Sequence, residues 1–588
     1  MSALSSKTVG AGGQLYAPYL PLVWMAASLG LWRLSLPLVE LNRIDELGLV
    51  SALPPLFYVA PSLLTLSFWH VIRQRSPHKW TVLLHVIALI FMLHATLPIL
   101  YDVPRFAWVY KHIGVVDYII RNGAVDASID AYHNWPGFFA VAALLVRVSG
   151  SHDAQEIARW APLAFNLLYV GPLLLIFRAF TRQAHVVWLA VWLFFLGNWV
   201  SQDYFAPQAF AYLFFLFVIA ACLTWIQPHA VPPLKISEQE QGWTVYRLVY
   251  GTVILAAVVI AASHQLTPFM LMAALIALMV AGSRRLWPVL AVVVISTLLW
   301  DIFMARPYLA AYSHWYSSLG SVGLNLKHNV SSTNQYSADH LLIVTITRVM
   351  SLLLWGVAFL GGLRGLWQKQ LDWRAVLLAL TPFPMLVLGS YGGEMLLRIY
   401  LFSLPFMAYL AATAVFSPGA SRPGHRSAAA ALALQAVLLC GYFFAQFGNE
   451  LTNRVGAYDV RAAQYLYAHA RPQSVIATVT INNFPLKLEG NYAEFDHQFL
   501  VDDQLDRNRV LTGKDYRRVL QYGRDTGAPA VYFVISNDQK VYGKKFRLLA
   551  PGAFDSVAQS IREDPDARVF YRKEQTVIYE IPLSEGRQ

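Results

Sequence analysis

The chain has 588 residues, of which 57% are hydrophobic and only 13% charged, with a formal net charge of +11. Soluble globular proteins carry about 25% charged residues, so this composition excludes the ordinary soluble class. The positive charge does not argue for nucleic acid as a partner, because most basic residues outside the C-terminal region fall in short loops between apolar runs, where orientation signals belong.

Long apolar runs recur through the first three-quarters of the chain. A helix of about 20 apolar residues spans a bilayer while pairing all of its own backbone polar groups. The expected spans lie near 17–38, 53–73, 79–100, 160–178, 186–201, 207–226, 248–263, 265–282, 287–305, 341–361, 375–391, 397–417 and 428–446. No removable signal peptide is expected, since the N-terminus runs straight into the first apolar segment. Cys222 and Cys440 both sit inside spans, which leaves no disulfide framework or cysteine metal centre.

Basic residues mark one set of loops: Arg73, Arg75 and Lys79; Arg178 and Arg182; Arg284 and Arg285; Arg364, Lys369 and Arg374; Arg422 and Arg426. By the positive-inside rule these loops are cytoplasmic, with the N-terminus inside and the C-terminus outside. The other side of the membrane then receives 101–159, 197–206, 306–340, 391–396 and the tail. Within the first of these, 106–121 reads as an amphipathic helix on the membrane surface. The segment 135–148 is apolar but short for a span, and counting it as a crossing would put Arg178 and Arg182 outside. It is therefore read as an interfacial or re-entrant helix, with Trp135 at headgroup level and Pro136 in its first turn.

After about Gly448 the character changes. Residues 474–481 and 528–535 are strand-like, 567–581 reads as two strands around a polar turn, and 457–469 and 556–563 read as helices. The expected fold is an all-α polytopic membrane protein of about thirteen spans plus interfacial helices (1–447), followed by a small extracytoplasmic α/β domain (448–588). A plasma-membrane location follows.

Ionisable residues near a membrane are costly and mark candidate sites. Four clusters fall on the outer side. The stretch 100–139 carries Asp102, Arg105, Lys111, His112, Asp130, His133 and Trp135. Asp102 closes a span, where a carboxylate must be hydrated, paired or metal-bound. The stretch 197–210 carries Asp203, the only charge between two spans, which suits a helix cap beside Pro207 as well as a site. In 262–269, His264 falls at a tight turn and suits either a structural or a binding role. In 389–402, Glu394 and Arg398 stand four apart and suit an internal pair, while the planar arginine fork also suits a phosphate.

An acid just after a span (Asp102), a surface loop, and then the aromatic-proline element "YHNWPGFF" entering an apolar helix together resemble the GT-C superfamily of integral-membrane glycosyltransferases. The "YKHIG" and "YHNWPGFF" stretches are also similar to those of actinobacterial-type membrane proteins. The resemblance implies a membrane enzyme using a polyprenyl-phosphate sugar as donor and a glycan, lipid or protein as acceptor, as in cell-wall or polysaccharide biosynthesis. It implies Asp102 and Asp203 as catalytic acids. Arg105, Lys111, His133, Trp135, His264, Glu394 and Arg398 are the candidate substrate-binding residues. It leaves a divalent metal (Mg²⁺ or Mn²⁺) open, with Asp102 and Asp203 as candidate ligands. One departure is that two spans precede the one ending at Asp102, which leaves Glu40, Asp45 and Glu46 in 39–49 as alternative acids. The rival readings are a lipid-linked glycan polymerase or ligase, with the same outer-face logic, and a transporter. A transporter would be expected to show paired halves and midplane polar residues.

Overall fold

The computed structural model describes residues 19–226, 240–311, 320–329, 338–387, 389, 393–416, 423–502 and 506–583. Arg422, Gly392 and parts of the 306–340 loop therefore lie outside the described residues. The membrane part runs α1 (Leu20–Ser35), α2 (Pro55–Ile72), α3 (Lys79–His94), α4 (Thr96–Leu100), α5 (Ala107–Asn122), α6 (Ala131–Asn134), α7 (Gly137–Ser149), α8 (Gln155–Phe180), α9 (Ala184–Gly197) and α10 (Pro207–Ala221). It continues through α11 (Glu240–Ser263), α12 (Thr267–Val280), α13 (Trp287–Phe303), α14 (Arg306–Ala311), α15 (Val322–Asn329), α16 (Ala338–Trp367), α17 (Trp373–Leu380), α18 (Met395–Val415) and α19 (His425–Phe447).

Helix occupies most of each stretch expected to span, except 375–391: there an eight-residue α17 ends at Leu380, a 3-10 segment follows at Phe383–Val387, and residues 388, 390 and 391 lie outside the described residues. Among the described residues, seven helices are long and apolar enough to cross a membrane: 55–72, 155–180, 207–226, 284–303, 338–367, 395–415 and 425–453. The others are shorter, so length and composition support a multi-pass membrane protein without fixing thirteen crossings. Burial separates the roles of these helices. The 395–415 segment is 89% buried and forms the centre of the bundle, whereas the 284–303 segment is only 22% buried. Its bare residues are Ile295, Leu298, Leu299, Ile302 and Phe303, a face that lipid covers at no cost.

The loops segregate into two ends. At one, His185 Nδ1 lies 2.9 Å from the Ile72 carbonyl, and Arg374 Nη2 donates to Ala179 O at 3.1 Å. At the same end Arg364 Nη1 donates to Ala414 O at 2.7 Å, and Trp69 Nε1 to Ala428 O at 2.7 Å. These are the basic loops. The acidic and aromatic loops gather at the other end, beneath the C-terminal unit. There α7 has 13 residues and stops at Gly150, whose φ of +68° makes it a left-handed cap.

The expected amphipathic helix is α5, but its apolar stripe is spent on protein. Val109, Tyr110, Ile113, Val115 and Val116 are buried, and a Cβ on Gly114 would sit 1.9 Å from the Lys487 carbonyl. Only glycine lets the C-terminal unit approach this closely, so α5 serves as a floor for that unit as well as a wall of the membrane part.

The C-terminal unit contains α20 (Glu450–Asn453), α21 (Ala457–His469), β1 (Val475–Thr480), β2 (Asp496–Val501), α22 (Gly513–Asp525), β3 (Ala530–Ser536), α23 (Asn537–Lys545), α24 (Ala553–Arg562), β4 (Arg568–Lys573) and β5 (Thr576–Pro582). The sheet order is β2-β1-β3-β5-β4, with β1 parallel to β2 and β3 and the β4–β5 hairpin antiparallel. Strand alternation divides its two faces. Val475, Ala477, Val479, Val531 and Phe533 enter one core with α22 and α24. Ile476, Ala530, Tyr532 and Val534 enter a core continuous with α21, Tyr492 and the membrane helices. The expected strands and helices are present. β2, α20, α22 and α23 are additions to the expected elements: β2 is a polar edge strand, and α22 is a surface helix started by a Thr512–Asp515 capping box.

Between α21 and the sheet, Asp459 is fully buried and accepts hydrogen bonds from Ser536 Oγ (2.6 Å) and Thr576 Oγ1. Burial, and then the neighbouring Asp538 charge, push its carboxyl up to about 8. A carboxyl raised in this way keeps its proton to higher pH in the fold than in the unfolded chain. The stabilisation is complete in acid and is lost as pH rises through the folded value. Asp459→Asn, which stays neutral, is expected to flatten the fall of the protein's melting temperature as pH rises above the ordinary carboxylate range. An unchanged slope in calorimetry would show that Asp459 is ionised in the fold.

Candidate functional site

The four polar clusters, far apart in the chain, surround one cavity of about 300 Å³. Helix α5 supplies Lys111 and His112, and the α6 segment supplies Tyr132 and Trp135. The α9–α10 loop supplies Gln202, Tyr204 and Gln208. The α11–α12 turn supplies Ser263, His264 and Gln265, α14 supplies Tyr308, and the first turn of α18 supplies Arg398. Of the residues expected to bind substrate, Lys111, Trp135, His264 and Arg398 therefore share one wall system.

Local chemistry fixes each of them. Asp130 caps α6 by accepting from Tyr132 N at 2.8 Å, and its other oxygen holds Lys111 Nζ at 3.0 Å. Lys111 Nζ also lies 4.6 Å from the Tyr132 ring centroid. Burial raises the Asp130 carboxyl, but Lys111 outweighs it and holds the group below the usual carboxylate range. Gly137 allows α7 to meet α11, since a Cβ there would lie 2.5 Å from Ser263 Oγ. That approach seats Trp135 against Tyr308, with ring centroids 5.6 Å apart and edge-on. His264 Nδ1 accepts from Thr267 N at 3.2 Å, so it caps α12 while lining the cavity. Arg398 Nη1 donates to Glu394 Oε2 at 2.7 Å, and the Glu394 side chain is half exposed. The expected pair exists, and its arginine faces the cavity.

His112 is not among the substrate-binding residues expected from the sequence. Its Nδ1 lies 2.7 Å from Phe205 O, its ring stacks on Tyr204, and burial pushes it down to about 4, so it stands neutral in the wall. Gln202, Gln208 and Tyr308 are likewise not among the residues expected from the sequence. Two of these are amides inside the 197–210 stretch, and their short polar signal was overshadowed by Asp203.

The remaining expected residues lie elsewhere. His133 is buried outside this cavity; its Nε2 lies 2.8 Å from Tyr492 OH, and its Nδ1 accepts from Asp126 N at 3.1 Å. It ties the membrane part to the C-terminal unit. Arg105 and Asp203 line a second, smaller cavity of about 40 Å³, which shares Tyr204 with the first. Arg105 Nη2 pairs with the buried Glu450 at 2.5 Å, and Asp203 Oδ2 meets His94 Nδ1 at 3.0 Å and accepts from Asn166 Nδ2 at 2.5 Å. Asp102 is exposed between Tyr101 and Val103, both of which line the smaller cavity. Among the described residues no hydrogen bond or ion pair engages it. Of the alternative acids, Glu40 pairs with Arg43, and Asp45 accepts from Ser51 Oγ at 2.6 Å. No group of three or more His, Cys, Asp or Glu side chains is gathered for a metal among the described residues.

No family model and no curated protein matches the sequence. Among solved structures, the chain is similar to ArnT from Cupriavidus metallidurans bound to undecaprenyl phosphate, at 12% identity and a TM-score of 0.49, over 87% of this chain and 100% of that one. It is also similar to an oligosaccharyltransferase from Archaeoglobus fulgidus tethered with an acceptor peptide, at 10% identity and a TM-score of 0.48, over 86% of this chain and 74% of that one. A complex of Archaeoglobus fulgidus AglB with an inhibitory peptide and a dolichol-phosphate is similar at 10% identity and a TM-score of 0.48, over 85% and 74%.

Proposed function

We propose that the chain is a membrane glycosyltransferase that moves a sugar from a polyprenyl-phosphate donor to a glycan, lipid or protein acceptor at the extracytoplasmic face. The observation that carries this reading is the convergence of four separate loops on one cavity holding Arg398, Lys111, three glutamines and a set of aromatic rings. Amides and aromatic faces suit a sugar, and the arginine fork suits a phosphate. Arg398 sits in the first turn of a spanning helix, the depth at which a lipid-borne phosphate would be presented. As the glycosidic bond breaks, negative charge grows on the leaving phosphate, and a fixed guanidinium lowers that barrier.

The acceptor hydroxyl must lose a proton. Of the carboxylates bordering the two cavities, Asp130 is committed to Lys111, Asp203 to His94 and Asn166, Glu394 to Arg398, and Glu450 to Arg105. Asp102 is the uncommitted one among the described residues, so it takes the role of general base in this reading. Asp203 then serves as the buried support of that wall. In this scheme residues 1–447 form the transferase body in the plasma membrane, and 448–588 form an outer domain.

The direct test is incubation of purified protein with a panel of polyprenyl-phosphate sugars, scoring release of the lipid phosphate. Release from none of them, by protein that remains folded, would reject the reading. Arg398→Lys keeps charge but loses the fork, and is expected to slow turnover; Arg398→Ala is expected to lose roughly two orders of magnitude. Normal turnover in Arg398→Ala would leave the Glu394 pair with a structural role alone. Asp102→Asn is nearly isosteric and is expected to cost roughly two to four orders of magnitude in turnover with unchanged donor binding. Near-normal rates there would move the base to another acid. For orientation, Lys514→Cys on the exposed face of α22, in a background without Cys222 and Cys440, should react with an impermeant thiol reagent in intact cells. Reaction only after lysis would invert the topology.

A further inference from the structure

A third cavity, of about 150 Å³, lies between α5 and the sheet, and no part of the proposed reaction uses it. Its walls include Trp108 and Lys111 from α5, Phe484 and Lys487 from the loop after β1, and His497 and Phe499 from β2. Lys111 lines both this cavity and the larger one. We propose that this cavity is the acceptor subsite and that it takes a sugar carrying a carboxylate or phosphate, a refinement that rests on the transferase reading above.

Three observations support it. The first is charge. Lys111 has Asp130 as its partner, but among the described residues no carboxylate forms an ion pair with Lys487. Burial, and next the repulsion of Lys111, push the Lys487 ammonium down to about 8, against the opposing pull of the Asp130 and Asp496 carboxylates. The repulsion between the two ammoniums, opposed by Asp130 and Asp496, is relieved further by an anion bound between them.

The second is preorganisation. Lys487 has a left-handed backbone (φ +61°), and its N–H donates to Tyr467 OH at 2.7 Å. Its carbonyl packs on Gly114 of α5. A lysine needed only for solubility requires no such fixed backbone. His497 Nε2 lies 2.9 Å from the same Tyr467 hydroxyl, and burial with the two ammoniums pushes His497 down to about 3. It is therefore a neutral polar wall and no competitor for the anion.

The third is shape and continuity. Indole and phenyl rings alternate with the polar groups, as sugar faces require. Because Lys111 borders both cavities, an acid group held between Lys111 and Lys487 leaves the rest of the sugar directed toward the larger cavity, where the donor would lie.

The test is protection of Lys487 from acylation by a small amine-reactive reagent, read residue by residue by mass spectrometry on the full-length protein in detergent. The probes are glucuronic acid, glucose 6-phosphate, glucose and inorganic phosphate, with vesicles containing phosphatidylglycerol as a separate arm. Glucuronic acid or glucose 6-phosphate at ten times its Kd is expected to slow Lys487 labelling about tenfold by mass action. Glucose and inorganic phosphate are expected to protect far less, and Lys540, which pairs with Asp555 on the surface, should not change. Lys111→Gln should abolish the protection of Lys487, while Lys111→Arg should retain it. Equal protection by inorganic phosphate, protection by the vesicles alone, or no protection at all would each overturn the proposal. Protection needs no donor. An unprotected Lys487 in active protein therefore rejects the subsite alone, and a protected Lys487 in protein inactive with every donor rejects the transferase reading instead.

Discussion

Much of the architecture depends on one buried contact, the ion pair of Arg105 with Glu450, completed by Tyr101 OH donating to the other Glu450 oxygen at 2.9 Å. It joins the loop that leaves α4 to the turn by which the chain leaves the last membrane helix. A buried carboxylate is expensive to desolvate and is tolerable only with such partners. Its main effect is positional. It sets where the C-terminal unit starts, and neighbouring contacts repeat the alignment: Val455 N donates to Arg105 O at 3.0 Å, Gly490 N to Asp117 at 2.7 Å, and Arg121 pairs with Glu489 at 2.7 Å. The extramembrane sheet is thereby fastened to the helices that line the candidate site.

The site needs that fastening because its walls come from loops. Loops are mobile unless something holds them. Here α5 is held by the sheet unit on one side and by the membrane helices on the other. Lys111, His112, Tyr132 and Trp135 all belong to α5 or to the chain just after it. Close glycine contacts at Gly114 and Gly137 let the neighbouring backbones approach and hold this segment in register.

Hydropathy alone located most of the long membrane helices, since the spacing of apolar runs is set by bilayer thickness and is a local property. The β4–β5 hairpin was also visible, because β-branched and aromatic residues flank its polar turn. So were the four polar clusters, because an ionisable residue stands out against an apolar background. What sequence could not reveal was pairing. Arg105 and His133 read as ligands of a substrate, yet their partners are Glu450 and Tyr492, more than 300 positions away. Lys487 and His497 passed unnoticed because the tail is rich in charge, and one more lysine there carries no signal until the sheet is laid on α5. β2 was missed for the same kind of reason, as a polar strand whose place is defined only by β1.

Lys111 forms part of the wall between two chambers. A single ammonium cannot be neutralised from one side without changing the electric field on the other. An anion bound in one chamber would therefore alter affinity in its neighbour, and linkage requires the effect to be equal in both directions. Two anions competing for Lys111 would oppose each other. An anion that draws Lys111 away would instead release Asp130, whose neighbours Ala131 and Tyr132 line the larger chamber. With anions in both chambers, a shift of this one side chain would suffice to couple them.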